Sequence, residues 1–350
     1  MKDFRDWGVR VRRDLPRNYY SVWNNLVTTR LDLGDPVPLD TQRPEFIDLC
    51  LGTRCNAKCD FCYVSAGPAG FDWPGICETW KAWLSSFPAD TPIDPETSGD
   101  TIWSEILGPP EPGQTLEEVL FQVEISKASR RYGAVYTEKM FQVALGGTSE
   151  PTIHPDFTKF LQTVYETRVV PNYTTNGILL SDKDKAAEIL EATRNFCGGV
   201  AVSFGNKNLR GLAGKAVRNL LEYGDCKVMI HEIISDKASV DDMLALDREY
   251  GKDIHYHVLL PLMAHGRSTE SMTREAWEYL VDRVKATGMT NVAFGANFLP
   301  WMAEYPGAVN VWEYPSEVYS ENVLLRDHKI TITKNSFDLK PIDSWEPSHS

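Results

Sequence analysis

The chain has 350 residues, of which 42% are hydrophobic, which is enough for one large domain or two smaller ones. Its net charge of −13 argues against nonspecific binding to nucleic acid, which needs basic surfaces that displace counterions. No apolar run is long enough to cross a bilayer, and residues 1–6 do not resemble a signal peptide. The seven cysteines do not read as a disulfide framework, which favours a cytoplasmic protein.

Residues 1–44 precede the first clear strand and are locally basic. The cluster consists of Arg5, Arg10, Arg12, Arg13 and Arg17. We interpret this segment as a solvated or docking arm, with an arm that binds a polyanion as the alternative.

Three cysteines, Cys55, Cys59 and Cys62, follow the first apolar run in the spacing C-x3-C-x2-C. A cubane [4Fe–4S] cluster normally takes four cysteine ligands. Because no fourth cysteine follows closely, one iron would stay open to bind a small molecule. A zinc site is the first alternative, but structural zinc takes four ligands. Buried core thiols are the second, although the intervening Asn, Lys and Asp suit a core poorly.

Residues 67–140 form a long segment rich in proline and glycine. It also carries Trp73, Trp80, Trp83 and Trp103, and Thr115 begins a plausible helix. Long loops without structure are rare in compact domains unless they are functional or disordered. We interpret the segment as an insertion that packs beside the cysteine loop as a lid or substrate-binding element. Elaboration of the scaffold is the alternative.

Across residues 45–298 short apolar runs alternate with amphipathic stretches. The predicted strands are 46–51, 141–145, 169–174, 199–204, 227–234, 254–260 and 291–294. The predicted helices are 77–87, 156–168, 182–196, 210–223, 240–250 and 273–287. Such uniformly apolar strands indicate a parallel sheet covered by helices. We therefore predict a partial (β/α)6 barrel, similar to a TIM barrel, with its site in the loops after the strands.

Residues 299–350 form a predicted C-terminal extension. Its sequence favours a β-hairpin of residues 322–325 and 329–333. We expect this hairpin to close the open side or the bottom of the barrel.

The cysteine motif, with Phe61 before its third cysteine, resembles the radical SAM superfamily. The resemblance covers residues 45–297. It implies that the three cysteines hold one [4Fe–4S] cluster and that S-adenosylmethionine (SAM) chelates the open iron. Gly146 and Gly147 are similar to the family's Gly-Gly-Glu-Pro motif, whose backbone binds the methionyl amine of SAM. Thr148 departs from that motif, because glutamate is usual there.

Later loops extend the resemblance to the rest of the SAM pocket. Asn176 and the glycine that follows it lie after the third strand. By itself this pair predicts a turn. Its place in the chain, by resemblance to the family, implies that it lines the SAM pocket. Ser203 and Asn206 lie where the family binds the ribose. Arg267, in a Gly-Arg loop, is a candidate for the SAM carboxylate, because guanidinium matches carboxylate bidentately. A surface salt bridge remains its alternative.

The resemblance implies a radical SAM enzyme. Such enzymes cleave SAM reductively to a 5′-deoxyadenosyl radical that removes hydrogen from a substrate C–H bond, with electrons from a reductant such as flavodoxin or ferredoxin. The Gly-Arg loop and the tryptophan-rich insertion favour a peptide or protein substrate. A small metabolite or nucleotide is one alternative, and a non-catalytic Fe–S or zinc-binding interaction protein is another. The sequence names no catalytic side chain.

Two residue sets complete the expectations. The remaining cysteines are Cys50, Cys77, Cys197 and Cys226. They read as small buried residues rather than as ligands of a second cluster, so we predict one cluster.

On late strands, His231, Glu232 and His257 are either substrate contacts or satisfied buried groups.

Overall fold

The computed structural model describes residues 4–14, 19–23, 28–32, 46–93, 131–298, 300–301, 320–326, 329–333 and 343–344. Internal contacts divide the chain into two compact units. One comprises Met1–Lys2, Phe46–Lys81 and Gln142–Ser350, and the other comprises Asp3–Glu45 and Ala82–Phe141. The predicted helix at Thr115 lies outside the described residues, as does Trp103. The predicted boundaries of arm, barrel and extension stay a prediction.

The smaller unit contains a five-stranded sheet. Its strands are β1 (Val9–Asp14), β2 (Tyr19–Trp23), β3 (Thr28–Asp32), β5 (Thr91–Ile93) and β6 (Ala134–Tyr136). The spatial order is β3-β2-β1-β6-β5, with β1 antiparallel to β2 and parallel to β6. Part of the predicted arm and part of the predicted insertion therefore share one sheet.

Arg10 corrects the expectation of a solvated arm. Its side chain is 1% exposed, and Nη2 donates a hydrogen bond to the Met140 carbonyl at 3.3 Å. The guanidinium also lies over the Phe141 ring, 5.1 Å from the centroid. Burial of Arg10 shows that its face of β1 is covered. The neighbouring Val9 and Val11 are buried as well.

The larger unit is built on a parallel half-barrel. Its strands are β4 (Phe46–Cys50), β7 (Gln142–Leu145), β8 (Val170–Thr175), β9 (Gly199–Ser203), β10 (Lys227–Ile234), β11 (Tyr256–Pro261) and β12 (Val292–Phe294). These seven strands are all parallel and curl through 191°. The predicted partial barrel is confirmed, because each predicted strand forms within two residues of its expected position.

Helices connect the strands and cover one face of the sheet. They are α1 (Ile76–Ser85), α2 (Phe157–Glu166), α3 (Ala187–Phe196), α4 (Arg210–Asn219), α5 (Lys237–Tyr250) and α6 (Arg274–Thr287). A π-helical turn, Leu220–Gly224, extends α4. Late in the barrel, Ile234 and Leu259 form a core with Met243 and Trp277 from α5 and α6.

Two helix starts differ from prediction. The helix predicted from residue 240 begins at Lys237, because Asp236 caps α5 and Ser239 is the reciprocal partner within its capping box. The helix predicted from residue 182 begins at Ala187, because a 3₁₀ turn, Leu179–Ser181, and a further turn precede it. Both differences concern local hydrogen bonding at helix ends, where sequence signals are least exact.

The predicted C-terminal hairpin is confirmed. It consists of β13 (Ser320–Arg326) and β14 (Lys329–Thr333), which pair antiparallel. β13 also pairs parallel with β4, and β14 with the short β15 (Asp343–Ser344), so the barrel sheet reaches ten strands. The hairpin thus extends the sheet at its β4 edge.

The remaining cysteines are buried, as expected; they are Cys50, Cys77, Cys197 and Cys226. Within the described ranges, no helix has the length and hydropathy needed to cross a membrane.

Candidate functional site

The cysteine loop follows β4 at the carboxyl end of the parallel strands. Cys55, Cys59 and Cys62 are free and half-buried. The loop folds back on itself: the Cys55 amide donates to the Gly67 carbonyl at 3.0 Å, and the Cys62 amide donates to the Cys59 carbonyl at 3.2 Å. Three thiols are thereby held in one short loop, at the end of the barrel where such folds build their sites.

Two amide side chains from neighbouring loops reach these thiols. Asn206 Nδ2 lies 3.3 Å from Cys59 Sγ, and Asn176 Nδ2 lies 3.7 Å from Cys55 Sγ. Asn176 also donates to Asn56 Oδ1 at 2.7 Å. The two residues follow β8 and β9, respectively. Loops from three strands therefore converge on the cysteines.

The donor set fits an iron–sulfur cluster. Burial raises the pKa of the Cys55 and Cys59 thiols, while hydrogen bonds from amides oppose that shift. Amide N–H groups directed at sulfur stabilise the thiolates that a cluster needs, and hydrogen bonds to sulfur tune its potential. In the part of the chain that the structure describes, no three His, Cys, Asp or Glu side chains are grouped as ligands of a single ion. Cluster cysteines bind different irons and need not meet at one point.

The Gly-Gly loop after β7 lies against the cysteine loop. Gly147 has φ +72°, a left-handed conformation that favours glycine, and its carbonyl accepts the Tyr63 hydroxyl at 2.9 Å. Thr148, which replaces the expected glutamate, is buried and donates Oγ1 to the Gly52 carbonyl at 2.7 Å. The Thr148 side chain therefore ties the Gly-Gly loop to the end of β4.

Glu150 is a central residue that the sequence analysis did not assign to the site. Its buried carboxylate accepts four hydrogen bonds. Oε1 accepts from the Thr152 amide, the Thr152 hydroxyl and the Thr175 hydroxyl, at 3.3, 2.6 and 2.7 Å. Oε2 accepts from the Asn176 amide at 2.7 Å. Burial raises the pKa of Glu150, and these donors oppose that shift. The position of Glu150, three residues after Gly147, was the one sequence feature that pointed to a role in the site.

Phe61 packs directly against Gly205, in space that a side chain at that position would need. A Cβ at Gly205 would lie 2.9 Å from Phe61 Cζ, so the glycine permits this close approach. Phe61 also lines a cavity of about 120 Å³, together with Phe204, Ile233 and Leu262. The aromatic residue before Cys62 is thus held beside the ends of β9, β10 and β11.

Arg267 has partners that neither sequence reading expected. Nε donates to the Cys59 carbonyl and Nη2 to the Ala66 carbonyl, each at 2.8 Å. The Arg267 amide donates to the Cys62 carbonyl at 3.0 Å. The side chain is half-buried and binds the backbone of the cysteine loop.

His257 and Glu232 form a buried pair on the helix-covered face of the sheet. Nδ1 of His257 lies 2.6 Å from Oε1 of Glu232, and Nε2 lies 3.4 Å from Asp247 Oδ1. Both residues share a strand face with Ile234 and Leu259, which pack against α5 and α6. Among the described residues, Glu232 Oε2 and His257 Nε2 have no hydrogen-bond partner, and Glu232 also lines the cavity beside Phe61. Both interpretations, substrate contact and satisfied buried group, therefore stay predictions for this pair.

The opposite, inner face of the half-barrel carries polar side chains. Strand register places Asp48 beside Ala144, Ala144 beside Asn172, and Ser203 beside His231. Burial raises the pKa of Asp48 to about 6 and lowers that of His231 to about 4. Burial is the only cause of the raised pKa of Asp48 among the described side chains. Asn322, beside Asp48 in the register of β13 with β4, has a side chain outside that description. A charged group and a neutral imidazole therefore face this inner surface.

No family model matches the sequence, and no curated protein matches it. Solved structures do match the fold of this chain. SuiB from Streptococcus suis, bound to the precursor peptide SuiA, aligns with TM-score 0.52 at 12% identity, over 87% of this chain and 62% of that one. SuiB bound to S-adenosylmethionine aligns with TM-score 0.50 at 14% identity, over 85% and 65%.

The chain shares the fold of these structures, a partial α/β barrel similar to a TIM barrel. Identities of 12% and 14% establish the architecture, and the site rests on the residues described above. The chain spans less than two thirds of the SuiB chains. Within this fold, the cysteine loop, the Gly-Gly loop and the Asn176 turn lie together, and Arg267 joins them from the loop after β11.

Proposed function

We propose that this chain is a radical SAM enzyme. It cleaves SAM reductively to a 5′-deoxyadenosyl radical, which removes hydrogen from a C–H bond of a residue within a peptide or protein. The observation that carries the proposal is the approach of Asn176 and Asn206 to the thiols of Cys55 and Cys59. A loop of buried core thiols would not place amide donors from two further loops at its sulfur atoms.

Cys55, Cys59 and Cys62 would hold the single cluster. The chemistry that such a cluster supplies when bound is one-electron reduction of SAM at the iron that no cysteine occupies. The backbone of Gly146 and Gly147 is available to the methionyl end of SAM, because glycines there leave the main chain open to close approach.

The other SAM contacts follow from position. Ser203 is half-buried on the inner face at the end of β9, and Phe61 lines the adjacent cavity. Asn176 and Asn206 act between the thiols and the SAM pocket, and Thr148 fixes the Gly-Gly loop. Flavodoxin or ferredoxin is the proposed electron donor.

The substrate would face Asp48 and His231 inside the half-barrel. A carboxylate at a buried position is costly unless a partner satisfies it. A substrate that brings a cation or a hydrogen-bond donor to Asp48 would remove that cost on binding. His231 stays neutral at physiological pH, because burial lowers its pKa to about 4, and it can therefore both donate and accept a hydrogen bond.

A peptide substrate is supported by the comparison with SuiB, which holds its precursor peptide in the aligned structure. The inner face offers small residues, Ala144, Gly199 and Ala201, beside these polar groups.

The test uses anaerobically reconstituted protein, SAM and dithionite. We expect a cluster signal by electron paramagnetic resonance and formation of 5′-deoxyadenosine, measured by mass spectrometry. Peptides deuterated at candidate positions should then transfer deuterium to 5′-deoxyadenosine. Cys59→Ala protein is the control. Protein that carries a full cluster but never cleaves SAM would overturn the proposal, and tight binding of zinc in place of iron would favour an interaction protein.

A further inference from the structure

The turn after β11 is built onto the cysteine loop. Arg267 alone donates three hydrogen bonds to it: from its amide to the Cys62 carbonyl, from Nε to the Cys59 carbonyl and from Nη2 to the Ala66 carbonyl. These acceptors lie in a loop without regular secondary structure. Two of them also accept an amide within the loop, Cys59 from Cys62 and Cys62 from Ser65, each at 3.2 Å, so Arg267 adds donors that come from outside the loop. One side chain therefore satisfies carbonyls on both sides of the third cysteine.

Gly266 brings the turn into this contact. Its φ of +64° suits glycine. A Cβ at this position would lie 2.4 Å from the Cys62 carbonyl oxygen and 2.3 Å from that of Tyr63. Real Cβ atoms do not approach backbone oxygen so closely, so any larger residue would push the turn off the loop.

The shape of arginine matters here. Its planar guanidinium presents several N–H donors in a fixed fork, so Nε and Nη2 can serve two separate carbonyls at once. A lysine ammonium is a single point of charge and cannot reproduce that spacing. A guanidinium directed at two carbonyls also has fewer donors left for a carboxylate.

We propose that Arg267 is a positioning residue that fixes the cysteine loop in the shape that receives the cluster, before any metal is bound. The proposal rests on the proposed function for the identity of the metal group. It differs from the sequence expectation, in which Arg267 pairs with the SAM carboxylate, because the side chain acts on the backbone of the metal-binding loop.

Three variants test this role: Arg267→Met removes the donors, Arg267→Lys keeps the charge, and Gly266→Ala displaces the turn. Arg274→Met, at an exposed arginine at the start of α6, is the control. Hydrogen exchange of residues 55–67 is measured in the metal-free full chain, followed by iron content after reconstitution. SAM affinity per loaded cluster is measured by titration.

We expect Arg267→Met and Gly266→Ala to speed amide exchange in the loop about tenfold, as the loss of net-stabilising hydrogen bonds implies. Iron content should fall at least about twofold, because a loosened loop pays more ordering entropy on binding metal. SAM affinity per loaded cluster should stay within about twofold of wild type, since no SAM contact is removed. Arg267→Lys should protect the amides of residues 55–67 from exchange little better than Arg267→Met does.

Other outcomes overturn the role. Full iron content and normal exchange with weakened SAM affinity would assign Arg267 to the SAM carboxylate. Unchanged values in all three measurements would show that the side chain does not position the loop. If the wild-type chain takes up no iron, the proposed function fails, while the exchange data on the metal-free chain still decide whether Arg267 orders the loop.

Discussion

Glu150 accepts the backbone amide of Asn176 through Oε2 at 2.7 Å. This bond joins the loop after β7 to the loop after β8, and Thr175 Oγ1 adds a second link to Oε1 at 2.7 Å. Asn176 in turn reaches the Cys55 thiol. A buried carboxylate thus sets the position of an amide beside the metal-binding loop.

We expect Glu150→Gln to lower the free energy of unfolding by about 1–3 kcal/mol, because an amide nitrogen would face donors that now meet carboxylate oxygen. Urea denaturation at neutral pH measures the change. Glu188→Gln is the matched control, since Glu188 accepts from Thr158 at an exposed site. Equal stability of the two variants would contradict the assigned role.

Removing Asn206 should shift the reduction potential of the reconstituted cluster. Asn206→Ala deletes an N–H group 3.3 Å from Cys59 Sγ, and hydrogen bonds to cluster sulfur favour the reduced state. The potential should therefore become more negative, as measured by redox titration. Asn208→Ala, at the exposed neighbouring asparagine, should leave it unchanged. A potential that stays at the wild-type value in both variants would remove Asn206 from the site.

Each of Cys55→Ala, Cys59→Ala and Cys62→Ala should abolish cluster binding and SAM cleavage, because a cubane with two protein ligands is poorly held. Cys226→Ala, at a buried thiol, should keep about four irons per chain. Iron analysis and 5′-deoxyadenosine formation report the result. Product at the wild-type level from any of the first three variants would refute the ligand assignment.

Asp48→Asn should stabilise the chain while impairing substrate binding. The pKa of Asp48 is raised by burial from 3.8 to about 6, so the folded chain binds more protons than the unfolded chain between those values. Stability therefore falls as pH rises through this window, by up to about 3 kcal/mol. The variant should be more stable at pH about 7, with the gain vanishing near pH about 4.

Thermal unfolding across this pH range measures the stability effect of Asp48→Asn, and titration with a verified substrate measures binding. A buried charge retained at a cost to stability is a mark of function. The variant would argue against this if its stability matched wild type at every pH, or if substrate affinity were unaffected.

Glu232→Gln should reduce stability without changing SAM cleavage per folded molecule. Burial raises the pKa of Glu232 and His257 opposes the shift, so the pair stabilises a carboxylate under the helices. Weakening this contact should cost about 1–3 kcal/mol. Glu249→Gln, at an exposed carboxylate beside Arg218, is the control. A loss of cleavage with full stability would move Glu232 into the active site.

The sequence predicted the half-barrel well because its strands are uniformly apolar runs, and burial on both faces leaves few other structures for them. The cysteine motif was equally readable, since spacing along one loop is a local property. The position of Cys226 and the other buried thiols followed from the same strand order.

Contacts between residues far apart in the chain could not be predicted from the sequence. The partners of Arg267 lie 201 and 208 positions away, and no local pattern encodes them. The inward and helix-covered faces of β10 differ by a single position, so Glu232 and His231 exchange roles with a shift of one residue. In β1 the alternation of valine and arginine was a strand signal, but the burial of Arg10 depends on Met140 and Phe141.

The side chains around the cysteines come from far along the chain. Asn176 lies 121 positions after Cys55, Asn206 lies 147 after Cys59, and Arg267 lies 208 after Cys59. During synthesis the three thiols leave the ribosome long before these partners do. Iron should therefore enter late, after residue 267 has emerged, and until then the thiols are open to oxidants and to competing metals. Ribosome-bound chains stalled before Arg267 should accordingly retain less iron than chains stalled well beyond it.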